Sequence, residues 1–245
     1  SKGAQNGILI KGGDYLEIAH KITTIIFDKT GTLTVGKPSV TDVIPCGEYD
    51  VDTVLMFAAS VERGSEHPLA EAIEREASSR SIRLLDPFEF EAIPGKGVKA
   101  SVQGREVLLG SRKLMTEMTV DLSEIEGKIR ELEEDGKTVM FLAVERVLTG
   151  VIGAADTLKE YAAEAMAELK KMGIEVVMLT GDNERTAKAI ARRLGMEKVL
   201  AEVLPQQKEA VIEGFQNEGE VVAMVGDGIN DAPALAKADM GIAIG

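Results

Sequence analysis

Three short apolar runs set the plan of the chain: residues 22–27, 175–179 and 221–225, each rich in β-branched side chains and each followed by a polar, glycine-containing turn. Apolar almost throughout, they predict parallel strands buried on both faces. Between and around the last two, apolar residues recur at helical spacing, as in Ala187, Ile190, Ala191 and Leu194, with Gly195 as a stop. Helices are expected over 158–172, 184–194 and 205–215, the last with Pro205 at a first helical position. Strands alternating with helices predict βαβ units and a doubly wound parallel sheet, in which ligands bind beyond the carboxyl ends of the strands. Asp28, Thr180 and Asp227 all fall at those ends.

The first run precedes the second by well over a hundred residues, and the stretch between them has another pattern. Residues 51–61, 68–77 and 122–134 read as helices. Residues 88–92, 98–102 and 106–109 read as short alternating strands, and 139–144 with 147–152 as a hairpin. Strands in runs with segregated helices predict an antiparallel α+β unit. The chain is therefore expected to hold a discontinuous domain, 1–42 and 150–245, interrupted by an inserted domain, 43–149.

Composition narrows the function classes. With Lys+Arg 28 against Asp+Glu 41 the net charge is −13, and the insert alone holds 21 acidic and 13 basic side chains. Neither domain offers a basic groove, which argues against nucleic acid or an anionic membrane surface as partner. The single cysteine, Cys46, excludes a disulfide scaffold and a multi-cysteine zinc site. No apolar run approaches the roughly 18–20 residues of a membrane-spanning helix, and the first residues show no signal-peptide apolar region. A soluble α/β chain is expected.

The candidate chemistry lies at the predicted strand ends. Asp28 opens Asp28-Lys29-Thr30-Gly31-Thr32, where a carboxylate beside flexible backbone can act as a nucleophile toward phosphorus. Gly226-Asp227-Gly228-Ile229-Asn230-Asp231 clusters two carboxylates and an amide, a donor set that suits Mg²⁺. Thr180-Gly181-Asp182 offers a hydroxyl and backbone N–H groups beside a helix start, a favourable phosphate position. Lys208 alone reads as a surface charge. Together these residues make a phosphoryl-transfer constellation.

These motifs resemble the cytoplasmic catalytic portion of P-type ATPases, within the haloacid-dehalogenase-like fold. The resemblance rests on the run from Asp28 to Thr34, on Thr180 to Asp182, and on the run from Val225 to Ala236. It implies that Asp28 is the phosphorylated aspartate and that Thr30 and Asp227 help Asp28 hold Mg²⁺. Thr180, with Gly181, and Lys208 would contact the phosphoryl group, while Asn230 and Asp231 complete the site. Asp156 matches another recurrent acidic position. Ser65-Glu66-His67-Pro68 and Pro94-Gly95-Lys96-Gly97-Val98 resemble motifs of the heavy-metal-transporting subfamily, copper pumps more than zinc or cadmium pumps. By that resemblance the insert binds ATP, with Glu66 and His67 recognising adenine and Gly95 and Gly97 admitting the nucleotide close to backbone. Gly110-Ser111-Arg112 departs from the family's usual Gly-Asn-Arg; Gly110 is retained to line the site.

The resemblance further implies that the chain is a fragment on the cytoplasmic side of a cell membrane. Its partners would be the membrane helices and actuator domain of the same pump, with the transported ion bound outside this piece. Gly7 to Gly13 resembles the juncture after a membrane helix, and Met240 to Gly245 the approach to the next. Two other readings compete. A free-standing phosphatase of the same fold carries a second Asp where Thr30 stands, and lacks a use for a long-lived aspartyl phosphate. A non-catalytic nucleotide-binding module leaves the acids at the strand ends unexplained.

Overall fold

The computed structural model describes residues 13–63, 65, 67–228 and 230–244. In order, its elements are α1 (Gly13–Ala19), β1 (Thr24–Asp28), β2 (Ser39–Pro45), α2 (Val51–Val61), α3 (Pro68–Ser79), β3 (Phe88–Ile93), β4 (Gly97–Val102) and β5 (Arg105–Gly110). There follow α4 (Arg112–Glu117), α5 (Glu126–Glu134), β6 (Thr138–Val144), β7 (Val147–Ala155), α6 (Ala162–Lys171) and β8 (Glu175–Leu179). The chain ends with α7 (Glu184–Leu194), β9 (Lys198–Leu200), α8 (Lys208–Asn217), β10 (Val222–Gly226), α9 (Ala232–Lys237) and β11 (Met240–Ala243). It packs as two units. One holds the chain up to Thr34, Leu158–Gly181 and the chain from Ala191; the other holds Val35–Thr157 and Asp182–Ile190.

The first unit is built on a five-stranded parallel sheet of order β11-β10-β1-β8-β9. The three apolar runs supply its centre: every residue of β1 and β10 is buried. Ile26, Val177, Leu179, Val222 and Met224 form one core cluster with Ile212 and Phe215 of α8. Each such side chain contributes roughly 1.5–3 kcal/mol by leaving water. The register pairs Asp28 with Leu179 on one side and Phe27 with Val225 on the other. Thr180 and Asp227 are thereby brought to the end of the sheet where Asp28 stands.

The second unit carries a six-stranded antiparallel sheet, β2-β7-β6-β5-β4-β3. Both faces are covered. On β5, Val107 and Leu109 join α2 and α3 in one cluster, while Leu108 joins α4 and α5 in another. Helices cover both sides because 139–144 and 107–109 are apolar and buried at successive positions rather than at alternate ones.

Several boundaries differ from expectation. β2 starts at Ser39 and pairs with β7 out to Ala155, so the antiparallel sheet extends past 43–149 at both ends. Ser39, Thr41 and Asp42 break up 39–45 and hide that strand from an apolar-run reading. α6 begins at Ala162, later than 158, because Leu158 pairs with Thr34 and Lys159 N–H donates to Leu33 O. The stretch 122–134 splits into a single turn, Ser123–Ile125, and α5. Phe88 and Phe90 alternate with glutamates, yet both are exposed, at 68% and 50%. β3 is an edge strand whose register shifts between Phe88 and Glu91, with Glu89 at φ 52, so its alternation seats no face. Of the expected junctures, 7–13 and 240–245, residues 7–12 and Gly245 lie outside the described residues. Among the described residues no helix is long and apolar enough to cross a membrane.

Candidate active site

In the first unit, Asp28 ends β1 and is 6% exposed. Lys208 opens α8, and its Nζ donates to Asp28 Oδ1 and to Asp231 Oδ1, both at 2.7 Å. Asp231 is fully buried; its Oδ2 accepts from the Asp227 N–H at 3.2 Å. The close seat of Asp231 depends on Gly226, where an added Cβ would stand 2.4 Å from Asp231 Oδ2. Asp227 in turn accepts from Asn230, Oδ1 from the backbone N–H at 2.9 Å and Oδ2 from Nδ2 at 2.8 Å. After Asp28 the chain turns at Gly31, φ 75, and an added Cβ there would lie 3.7 Å from Asp227 Cβ. Thr180 is 3% exposed, and its N–H is committed to Leu200 O at 3.0 Å.

Burial pushes the Asp28 pKa up to about 6, against the lowering by Lys208 and with a further raise from Asp231. For Lys208, burial acts to lower the pKa, and the two carboxylates outweigh it, so the ammonium is held above its usual range. The cluster is thus a buried cation clamped between two acids, one of which is held close to protonation.

A divalent cation fits this donor set. Asp28, Asp231 and Asp227 set three carboxylates against Lys208 and the buried Lys29, and the nearby ligand atoms are oxygens, which Mg²⁺ prefers. Thr30, in the same loop, is exposed, with φ −75 and ψ 124. Among the described residues no three His, Cys, Asp or Glu side chains converge as a ready metal cage. An ion that keeps several waters and meets few carboxylates does not need one.

In the second unit, His67 caps α3: its Nδ1 accepts from the Leu69 N–H at 3.2 Å. The proton of the neutral ring then resides on Nε2, and partial burial of the imidazole lowers its pKa. Glu66 lies outside the described residues. Gly97 and Gly110 pair across β4 and β5. An added Cβ at Gly97 would stand 2.2 Å from Leu109 O, and one at Gly110 would stand 2.2 Å from Lys96 O. Packing of one strand on the next therefore requires these glycines whatever else lies near them. Gly95, at φ 69, belongs to the turn before β4. Ser111 caps α4 through Oγ, which accepts from the Leu114 N–H at 3.4 Å.

One candidate escaped the sequence reading. Glu62, just past α2, is half-buried, and burial raises its pKa, with Ser65 opposing and Glu74 adding to the rise. An isolated acid after a helix carries no signal in the sequence. Asp156 accepts from the N–H groups of Gly36 at 3.0 Å and Lys37 at 3.2 Å, a structural clasp on the chain leading into β2. Asn183 Oδ1 caps α7 by accepting from Thr186 N–H at 3.0 Å.

Residues 22–239 match the family model described as haloacid dehalogenase-like hydrolase. The whole chain is similar to a copper-exporting P-type ATPase of Staphylococcus saprophyticus, at 48% identity, and spans 30% of that protein's length. Among solved structures it is similar to a zinc-transporting PIB-type ATPase in the E2.Pi state, with 42% identity and a TM-score of 0.63 over 98% of this chain and 39% of that one. A catalytic CPx-ATPase domain, CopB-B, is 30% identical, with a TM-score of 0.69 over 97% of this chain and 84% of that domain.

Proposed function

The chain belongs to the haloacid dehalogenase-like hydrolase family, as the catalytic portion of a P-type ATPase, and we propose that it binds ATP and takes the γ-phosphoryl group onto Asp28. The reading is carried by one observation: Lys208 Nζ is shared at 2.7 Å between Asp28 and Asp231. A carboxylate oxygen of Asp28 attacks the γ-phosphorus, the oxygen–phosphorus bond of the aspartyl phosphate forms, and the bond to the β-phosphate oxygen breaks to release ADP. Lys208, held charged, offsets the negative charge gathered at the transferred group. Asp231 keeps that lysine in place when Asp28 becomes esterified. Because the Thr180 amide is committed to Leu200, its phosphate contact falls to the side chain.

Asp28, Thr30 and Asp227 would hold Mg²⁺, with Asn230 fixing the Asp227 carboxylate. When bound, the ion supplies charge neutralisation at the phosphoryl oxygens. Thr30 stands where a free-standing phosphatase would place its acid–base carboxylate. A threonine there cannot relay a proton near neutral pH, which favours a lasting phosphoenzyme.

On the second unit, His67 would meet the adenine through Nε2–H, with Glu66. Gly95, Gly97 and Gly110 would line the nucleotide. The larger protein would be a membrane pump for a transition-metal ion, copper by the likeness of its relatives, with this portion on the cytoplasmic side. Incubation with γ-labelled ATP and Mg²⁺ followed by acid quench should leave label on the chain, lost in Asp28→Asn. Label retained by that variant removes Asp28 from its role.

A further inference from the structure

Thr32 is 4% exposed, and its Oγ1 has no hydrogen-bond partner among the described residues. It stands four residues after Asp28, in the loop turned by Gly31. A buried hydroxyl without a partner is costly, and folded chains seldom keep one. The nearby Thr34 shows what a structural hydroxyl does in this loop. Its Oγ1 accepts from the Gly31 N–H and donates to Lys29 O, both at 3.2 Å. Shape does not call for a hydroxyl at position 32 either, because valine fills the same space with no polar atom to satisfy.

The ligand this hydroxyl suits follows from its surroundings. The loop lies against the acid cluster, with Gly31 packed beside Asp227. Lys208 already divides its Nζ between Asp28 and Asp231. A group arriving at Asp28 with three acceptor oxygens needs further donors, and a neutral hydroxyl can supply one without changing the charge of the site.

We infer that Thr32 is a phosphoryl-binding residue: its Oγ1–H donates to an oxygen of the group carried by Asp28, and the hydroxyl is satisfied only when that group is present. The inference rests on the reading of Asp28 as phosphoryl acceptor. It assigns the orphaned hydroxyl to the loaded state and predicts a cost in the empty one.

The test uses this chain as wild type, Thr32→Val and Thr32→Ser, with orthovanadate and Mg²⁺ as the oxyanion probe. Thermal unfolding without probe and vanadate affinity by calorimetry are the two readouts. Thr32→Val should unfold at the wild-type temperature or higher, and should bind vanadate about tenfold or more weakly, the scale of a lost hydrogen bond to a charged acceptor. Thr32→Ser should stay within about threefold of wild type, because its hydroxyl remains. Wild-type vanadate affinity in Thr32→Val overturns the inference. So does a lowered unfolding temperature in Thr32→Val that Thr32→Ser does not share, since it would mean that the hydroxyl has a structural partner. Label transfer from ATP to the wild-type chain reports on Asp28 separately. A chain that takes label while Thr32→Val binds vanadate normally keeps the Asp28 reading and loses this one; a chain that takes no label loses both.

Discussion

Lys208 Nζ and Asp28 Oδ1 lie 2.7 Å apart although 180 positions separate them, and the same ammonium reaches Asp231 at the same distance. Removing the lysine strands two buried carboxylates. Lys208→Ala should lower the unfolding free energy by about 3–5 kcal/mol, the range for breaking a buried pair from one side. It should also abolish label uptake. Denaturant unfolding checks the first outcome; a loss below about 1 kcal/mol would show that water already screens the cluster.

The raised pKa of Asp28 fixes the sign of a pH effect. Unfolded, the carboxyl titrates near 3.8; folded, near 6. Between those values the native state holds the extra proton, so this group's contribution to stability falls as pH rises through that window, by up to about 3 kcal/mol. In metal-free buffer, Asp28→Asn should flatten the dependence between about pH 4 and 6 and should unfold above wild type at pH 7. A variant less stable than wild type at pH 7 would contradict this sign.

His67 caps a helix and is proposed to meet the nucleotide, and two substitutions separate these roles. Asparagine retains a capping oxygen, whereas alanine loses the cap at a cost of about 1 kcal/mol. Both should weaken ATP binding in calorimetry, but only His67→Ala should lower the unfolding temperature. Because the pKa is lowered by burial, the ring stays neutral at and somewhat below the ordinary value of about 6.5. ATP affinity should therefore not begin to fall until the pH is below that value.

Gly97 and Gly110 test packing against binding. A Cβ at either meets backbone at 2.2 Å, and Gly97 also has φ 142. Gly97→Ala should cost about 2 kcal/mol or more, through strain at a special φ and displacement of β5. Gly95, in the turn, should tolerate alanine better if its φ of 69 can relax. Thermal unfolding of the two variants orders them; equal midpoints would refute the strand-packing account.

Much of the fold was legible in the chain because burial on both faces leaves a direct record. β8 and α7 fall on 175–179 and 184–194, where continuous apolar runs and helical spacing leave no competing period. β2, β9, α4 and β11 were not legible. Each is short, half-exposed or dependent on a partner strand far along the chain, and local pattern carries no information about such a partner. The alternation over 88–92 did give a strand, but its edge position and shifted register leave Phe88 and Phe90 no surface to cover, which local pattern does not record.

The sequence by itself determined which residue types stand at the ends of three buried strands, and with them the acids, hydroxyl and lysine of a phosphoryl-transfer site. Only the tertiary structure decided how those groups spend their bonds. It gave one lysine to two carboxylates, committed the Thr180 amide to Leu200, set Ser111 as a cap, and left the Thr32 hydroxyl without a partner. The division has a physical basis. Strand identity follows from local hydrophobicity, whereas the state of a buried polar atom depends on neighbours that folding brings from distant parts of the chain.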